Sequence, residues 1–476
     1  TTRLVGSEMC IRDRYIAEMT SDKKFLRKAV AITIPVAAQA MLNTILNLVD
    51  TMMIGQLGQT EIAAVGLANK VFFVFTLLLF GIVSGSSILT AQYWGKKDIK
   101  SIHKVLGMSI AISLIGSIVF VLAGIFAPEG VMRIFTPSDN TVAIGAAYLG
   151  IAAISYPMTA VTNCYISLLR GVNKVKAPVI ISIVSIGINI ILNYTLIFGH
   201  FGAPQLGVKG AAIATLIARI VECLCLIAYV YSHDNPAAAK IKELFDFNKD
   251  FIKIYFKTVS PVIANEFMWG LGVTMYSLVY GRMGDEAVAS ITITQNVEQL
   301  CIVFFQGISA ATAVILGNEL GANKLKEAEK HATYFIFIQF ILTMIMAVMF
   351  FFLRSPIINM FMVTESTAID IRKCLIVFII YLPFRMFNLV NITGILRSGG
   401  DTTAALLLDL TGVWCVGIPL AFLGGIIFDL PIYYVYAMVT FEEAYKFVIG
   451  FKRYKQKKWL RNLVDMECDS IGEKVQ

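Results

Sequence analysis

The chain has 476 residues, of which 57% are hydrophobic and only 15% charged, against ~25% charged in ordinary soluble domains. So little charge cannot cover a water-facing surface of this size, which excludes a soluble globular fold. The formal net charge of +8 does not mark a nucleic-acid binder, because the lysines and arginines sit in alternate loops.

A bilayer-crossing helix requires ~20 mostly apolar residues. Twelve such stretches follow in order, over roughly 28–54, 62–93, 105–127, 142–169, 178–199, 210–231, 256–280, 286–317, 332–353, 375–396, 404–426 and 430–450. They are continuously apolar, unlike the short alternating strands of a barrel. The first is too long for a cleavable signal. Before it, "SEMCIRDR" resembles translated sequencing adaptor, and residues before Met19 are set aside. With the N-terminus inside, the inside loops hold Lys96, Lys97, Lys100, Lys104, Arg170, Lys174, Lys176, Lys240, Lys242, Lys249, Lys253, Lys324, Lys326 and Lys330. The C-terminus adds Lys452, Arg453, Lys455, Lys457, Lys458 and Arg461. Positive charge on one side predicts a multi-pass cell-membrane protein with both termini cytoplasmic.

Ionisable groups inside a span cost ~2.5–3.5 kcal/mol each, so they face a cavity or a partner. On the first span Gln39, Asn43, Asn47 and Asp50 recur at spacings that share one helical face. That face is read as wet, with Asp50 in its outer half. Lys70 on the second span is a potential counter-ion. The fifth carries Asn189 and Asn193. Arg219 and Glu222 on the sixth are three apart and are expected to pair locally. The seventh has the stripe Glu266, Trp269, Val273 and Tyr276, in which a carboxylate beside aromatics suits an organic cation. The eighth carries Gln295, Glu298, Gln299 and Gln306, and the tenth Arg385, Asn388 and Asn391; either set lines the cavity or joins helices. Asp409 on the eleventh has no partner nearby in sequence. The structural role is preferred for Lys70, Arg219, Glu222 and Asp409. Cys164, Cys301, Cys374 and Cys415 read as small core residues, and His103 and His331 as solvated.

The halves repeat. Pro35 and Pro261, Gly55 and Gly281, Gly58 and Gly284, Gly81 and Gly307, Gly95 and Gly321, and Pro157 and Pro383 all keep one and the same separation; Arg170 and Arg397 are one residue off it. Pro and Gly have backbone roles that are hard to replace, so the coincidence indicates duplication. Six helices per half make the repeat parallel. The expected fold is all-α, twelve transmembrane helices in two pseudo-symmetric six-helix lobes. Its parts are a tail 1–24, an N-lobe 25–233, a cytoplasmic linker 234–250, a C-lobe 251–455 and a basic cytoplasmic tail 456–476.

The strings "VDTMMIGQLG", "AAVGLANKVFF", "GSSILTAQYWG", "LNYTLIFG" and "SPVIANEFMWGLG" together resemble the multidrug and toxic compound extrusion (MATE) family over about Phe25 to Leu463. The resemblance implies two lobes in a V and export of cationic or amphipathic organic compounds in exchange for H+ or Na+. Asp50 falls on the family's helix-1 acid. Glu266 resembles its helix-7 acid, about one turn nearer the proline than in the sodium-coupled branch. Met386 and Asn193 stand where two branches have an acid, which leaves the coupling ion open. Asp50 and Glu266 are the expected ion-coupling residues, and either is a candidate Na+ ligand. The expected substrate cavity comprises Gln39, Asn43, Asn47, Trp269, Tyr276, Asn193, Gln295 and Gln299. No cofactor, nucleic acid or catalytic residue is expected, and the protein is read as a monomer among lipids. A lipid-linked oligosaccharide flippase is the alternative; acidic rather than basic intramembrane residues disfavour it. Neither HExxH nor GxSxG occurs, nor a Walker loop.

Overall fold

The computed structural model describes residues 18–232, 235–358 and 364–465. The first seventeen residues of the segment set aside above, and the tail beyond 465, lie outside them. All regular elements within the described residues are helical. Eleven helices are long and apolar enough to cross a membrane: α1 (Lys23–Gly55), α2 (Gln59–Lys96), α3 (Ile99–Phe126), α4 (Asp139–Gly171), α5 (Lys176–Phe198), α6 (Val208–Ser232), α7 (Lys249–Arg282), α8 (Asp285–Gly321), α9 (Leu325–Ile358), α10 (Glu365–Leu396) and α11 (Thr402–Ile427). The twelfth, α12 (Ile432–Lys455), has Glu442, Glu443 and Lys446 at its middle.

Most helices outrun the apolar stretches that mark them, because those stretches measure the hydrocarbon core while the helix continues into the headgroups. Their starts follow local chemistry. Asp22, Asp98, Ser138, Asn248 and Thr364 each accept a hydrogen bond from a first-turn amide. At Asp22 the Phe25 amide also holds the carboxyl below its ordinary range. Gly58 and Gly284 open α2 and α8 at φ of 152° and 106°, where a side chain is disfavoured.

Helices α1–α6 pack as one lobe and α7–α12 as the other; they meet through α1 with α8, α2 with α7, and α2 with α8. The duplicated glycines sit at these crossings. Gly81 touches the backbone of Ile263, and Gly307 touches Ala37. Ile263 is the counterpart of Ala37 at the repeat separation, so the two contacts are the same contact seen from each lobe. A Cβ at Gly95 would overlap the Asn318 carbonyl, and one at Gly321 the Gln92 carbonyl. The tail staples this side shut. Gln92 donates to the Ser398 carbonyl at 2.7 Å and accepts from the Leu463 amide at 2.8 Å, and Lys96 pairs with Asp465 at 3.1 Å.

Farther from the chain ends the lobes part. The α8 face that meets α1 at Gly307 continues to Phe304, Leu300 and Asn296, all exposed. The matching α1 face continues from Ala37 to Met41 and Leu48, which are 54% and 60% exposed. A cleft therefore opens on the side opposite the chain ends.

Gly95→Ala is expected to weaken only the closed side, costing ~1–3 kcal/mol of overpacking. A cysteine placed near Asn318 should then be alkylated faster. Gly281→Ala, with nothing near its Cβ, serves as the control; equal rates in both would refute the crossing as a packing constraint.

Candidate functional site

In the first lobe the α1 stripe divides. Asp50 accepts from the Asn193 amide at 2.6 Å, and the same amide group donates to Asn189 Oδ1 at 3.0 Å. Three turns below, Gln39 donates to Ser182 at 3.0 Å, Ser182 to Glu222 at 2.7 Å, and Arg219 pairs with Glu222 at 2.8 Å. Asn43 and Asn47 are exposed. They lie between the α1 face that meets α5 and the face that meets α8, and so border the cleft. Asp50 is half-buried at the lip of a polar chain that joins α1, α5 and α6.

Glu266 lies at the floor, where the lobes close. Arg397 donates to it at 2.9 Å and to Ser84 of the first lobe at 3.2 Å. Trp269, a turn farther along α7, is half-buried. Arg397 is 2% exposed. In the sequence it served as a repeat marker, and its pairing with Glu266 went unread.

The second lobe holds a larger network that the sequence reading missed. Arg385 pairs with Glu298 at 2.9 Å and Glu443 at 2.6 Å. Lys446 pairs with Glu443 at 3.0 Å, Glu442 at 3.4 Å and Asp409 at 3.8 Å. Asn388 donates to Glu443 at 2.7 Å, Tyr276 to Glu442 at 2.6 Å, and Asn265 to Asp409 at 3.0 Å. Helices α10 and α11 widen into π turns at 389–396 and 411–417 beside it, a departure that often marks functional sites. Gly412 makes room for the Lys446 stem and Gly417 for the Tyr276 hydroxyl. Three charges near the middle of the 430–450 stretch were the available signal.

Several expectations change. Asn193 and Tyr276, expected on the cavity wall, are buried; the Asn193 amide group and the Tyr276 hydroxyl are engaged inside their own lobes, while Asn193 Oδ1 has no partner among the described residues. Gln295 and Gln299 are exposed; Gln299 flanks the cleft-facing stripe of α8, and Gln295 lies a step farther round. His103 is not solvated: it is buried between the Pro236 carbonyl at 2.9 Å and Glu243 at 3.1 Å. Nor is His331, which bonds Glu319 at 2.6 Å and stacks on Phe25 at 4.4 Å. Both lie near the starts of helices, His103 in α3 and His331 in α9; the segment after α6 covers the first ring, and the start of α1 with the end of α8 covers the second. Cys415, within the π turn of α11, is exposed rather than core. Lys70 is exposed, and no ion pair to it occurs among the described residues. Arg219 and Glu222 pair locally as expected.

The MatE family model matches residues 35–195 and 261–423, two stretches that begin at Pro35 and Pro261, the first pair of the repeat. Among curated proteins the chain is 23% identical over 443 residues to an uncharacterized transporter, YisQ, of Bacillus subtilis, covering 93% of this chain and 96% of that one. It is 23% identical to a probable multidrug resistance protein, NorM, of Thermotoga maritima, covering 83% and 85%. Solved structures share the fold. One described as MATE in the bent conformation superposes with a TM-score of 0.84 at 20% identity, over 93% of this chain and 97% of that one. Another, described as the outward-facing conformation of a multidrug resistance MATE family transporter, gives 0.82 over 90% and 95%. With two copies of the family's repeat spanning most of its length, this multi-pass membrane protein belongs to the MatE family of multidrug efflux transporters.

Proposed function

We propose that the protein exports cationic or amphipathic organic compounds in exchange for H+ or Na+, by rocking of the two lobes. The observation that carries this is Asp50, a half-buried carboxylate that accepts from Asn193 at the lip of a polar chain within the membrane-spanning helices of the first lobe. A cation bound there neutralises the acid and releases an organic cation from the cleft; loss of the ion restores the charge. The basic loops support a cytoplasmic location for the chain ends. The cleft then faces outward, and the glycine crossings form the cytoplasmic closure. Export to the far side requires those crossings to open as the cleft closes. Asn43, Asn47 and Trp269 border the path, and Glu266 with Arg397 holds the floor. The cell membrane is its proposed site of action.

No Walker loop occurs in the sequence, so uphill export is proposed to draw on an ion gradient. One charge crossing 100 mV supplies ~2.3 kcal/mol, enough for a drug gradient of roughly forty-fold. The test uses proteoliposomes under imposed proton and sodium gradients, applied separately. Uphill export should follow one of them and stop when both are collapsed. Continued uphill export with neither gradient would refute ion exchange.

A further inference from the structure

We propose that the buried network of the second lobe is a proton-loading site, with Glu442 as its proton carrier. This rests on the ion-exchange reading above and adds a second site to it. Six ionisable side chains meet there: Glu298, Asp409, Glu442 and Glu443 against Arg385 and Lys446. Fully ionised, the set carries two negative charges more than positive. Held in the interior of a membrane lobe, such an excess is far costlier than in water, and uptake of a proton relieves it.

The network occupies the place in its lobe that the Asp50 site occupies in the first. At the repeat separation Tyr276 is the counterpart of Asp50, and Asn265 that of Gln39. With the one-residue shift already seen at Arg397, Asp409 is the counterpart of Ser182, Glu442 of Thr215 and Lys446 of Arg219. The contacts follow the positions. Gln39 donates to Ser182 and Asn265 to Asp409. The duplicated architecture thus presents an acid site twice, from α1 in one lobe and from α12 in the other.

Unpartnered amides adjoin the network. The side chain of Asn391 is 0% exposed, and neither its oxygen nor its nitrogen has a partner among the described residues. It faces Gly450, one turn along α12 from Lys446. Asn388, one turn away on α10 and 3% exposed, gives its amide group to Glu443 while its oxygen stays unpaired. Buried polar atoms left unmatched are expensive, and they cluster where the charge count is unbalanced.

The bonding pattern selects the ion and the carrier. Every carboxylate oxygen in the set already faces a donor or a cation: Glu298 has Arg385 and Tyr436, Glu443 has Arg385, Lys446 and Asn388, Glu442 has Tyr276 and Lys446, and Asp409 has Asn265 and Lys446. A metal ion would have to displace several of these donors, whereas a proton needs one oxygen. Glu443 is held by both cations. Glu442 and Asp409 share only Lys446, at 3.4 and 3.8 Å; of the two Glu442 is the more deeply buried and adjoins Glu443 in sequence, and it is the acid left under-compensated. The charged and titratable groups around it are Tyr276 and Tyr280 on α7, Glu298 on α8, Tyr381 and Arg385 on α10, Asp409 on α11, and Tyr436, Glu443 and Lys446 on α12. Protonation of Glu442 weakens the hold of its carboxylate on the Tyr276 hydroxyl. Tyr276 belongs to α7, the helix that crosses α2 of the other lobe at Gly81, so loading reaches the interlobe contact.

The test is infrared difference spectroscopy of the full-length protein in lipid as pH is raised, which reads protonated carboxyls without any drug. Wild type should lose two C=O components; Asp50→Asn should remove one and Glu442→Gln the other. If Glu442→Gln does not fold, Tyr276→Phe should shift the same component by removing its hydrogen-bond donor. A wild-type spectrum from Glu442→Gln, or an unshifted band in Tyr276→Phe, overturns the proposal. So does displacement of the band by sodium at constant pH, which would make the ligand a metal ion. Failure of Asp50→Asn alone would instead count against proton exchange at the first site. In vesicles, the reversal point for tetraphenylphosphonium should move with voltage in wild type and lose that dependence in Glu442→Gln; unchanged dependence would also overturn it.

Discussion

Asp50→Asn is expected to reduce active drug export to the level of protein-free vesicles while the fold survives. The substituted amide is the same size, and its oxygen still accepts from Asn193, which holds Asp50 at 2.6 Å in the native chain. Trading a charge-assisted hydrogen bond for a neutral one costs about 1 kcal/mol of stability, too little to unfold a twelve-helix bundle. What disappears is the charge that a coupling cation neutralises. Drug binding to the purified variant, measured beside export under an imposed gradient, separates the two effects. Binding should persist and export should not. Export at the wild-type rate would remove Asp50 from the mechanism.

Arg397→Met should be the most damaging single change at the closed side. Arg397 and Glu266 are buried together, 2.9 Å apart, where the lobes meet. Removing one partner of a buried pair leaves an uncompensated charge, at a cost of about 3–5 kcal/mol. Glu266→Gln added to the same chain should restore much of the loss, because no lone charge then remains. Thermal unfolding of both single variants and the double variant closes the cycle. Losses that simply add would show that the two residues act independently. Because Arg397 also reaches Ser84 in the other lobe, the single variant should also expose the closed side to alkylation.

The fold was legible because a bilayer allows few alternatives. Helix length follows from its thickness. The repeat was legible because Gly81, Gly95, Gly307 and Gly321 sit where another backbone leaves no room for a side chain. The α1 stripe was legible too, since a polar face on one helix has a fixed period. What escaped is what five helices build together. Arg385, Asp409, Asn388 and Tyr276 have no common spacing, and Arg397 meets Glu266 from a distant part of the chain. Glu442, Glu443 and Lys446 alone form a local pattern, three charges in the middle of an otherwise apolar stretch. His103 and His331 were not legible for a related reason: basic neighbours in sequence say nothing about which distant segment covers a ring, Pro236 and Glu243 for the one and Phe25 and Glu319 for the other.

The mutual glycine crossings have a consequence for how the molecule relates to its own half. Gly95 lies on the Asn318 carbonyl and Gly321 on that of Gln92, and Asn318 is the counterpart of Gln92 at the same separation that relates the two glycines. Each lobe offers the other the patch that it receives. That is the isologous, self-complementary geometry of a twofold homodimer. A single six-helix unit bearing this surface already has the partner it needs in a second copy of itself, so the covalent linker supplies proximity and leaves the geometry of recognition unchanged.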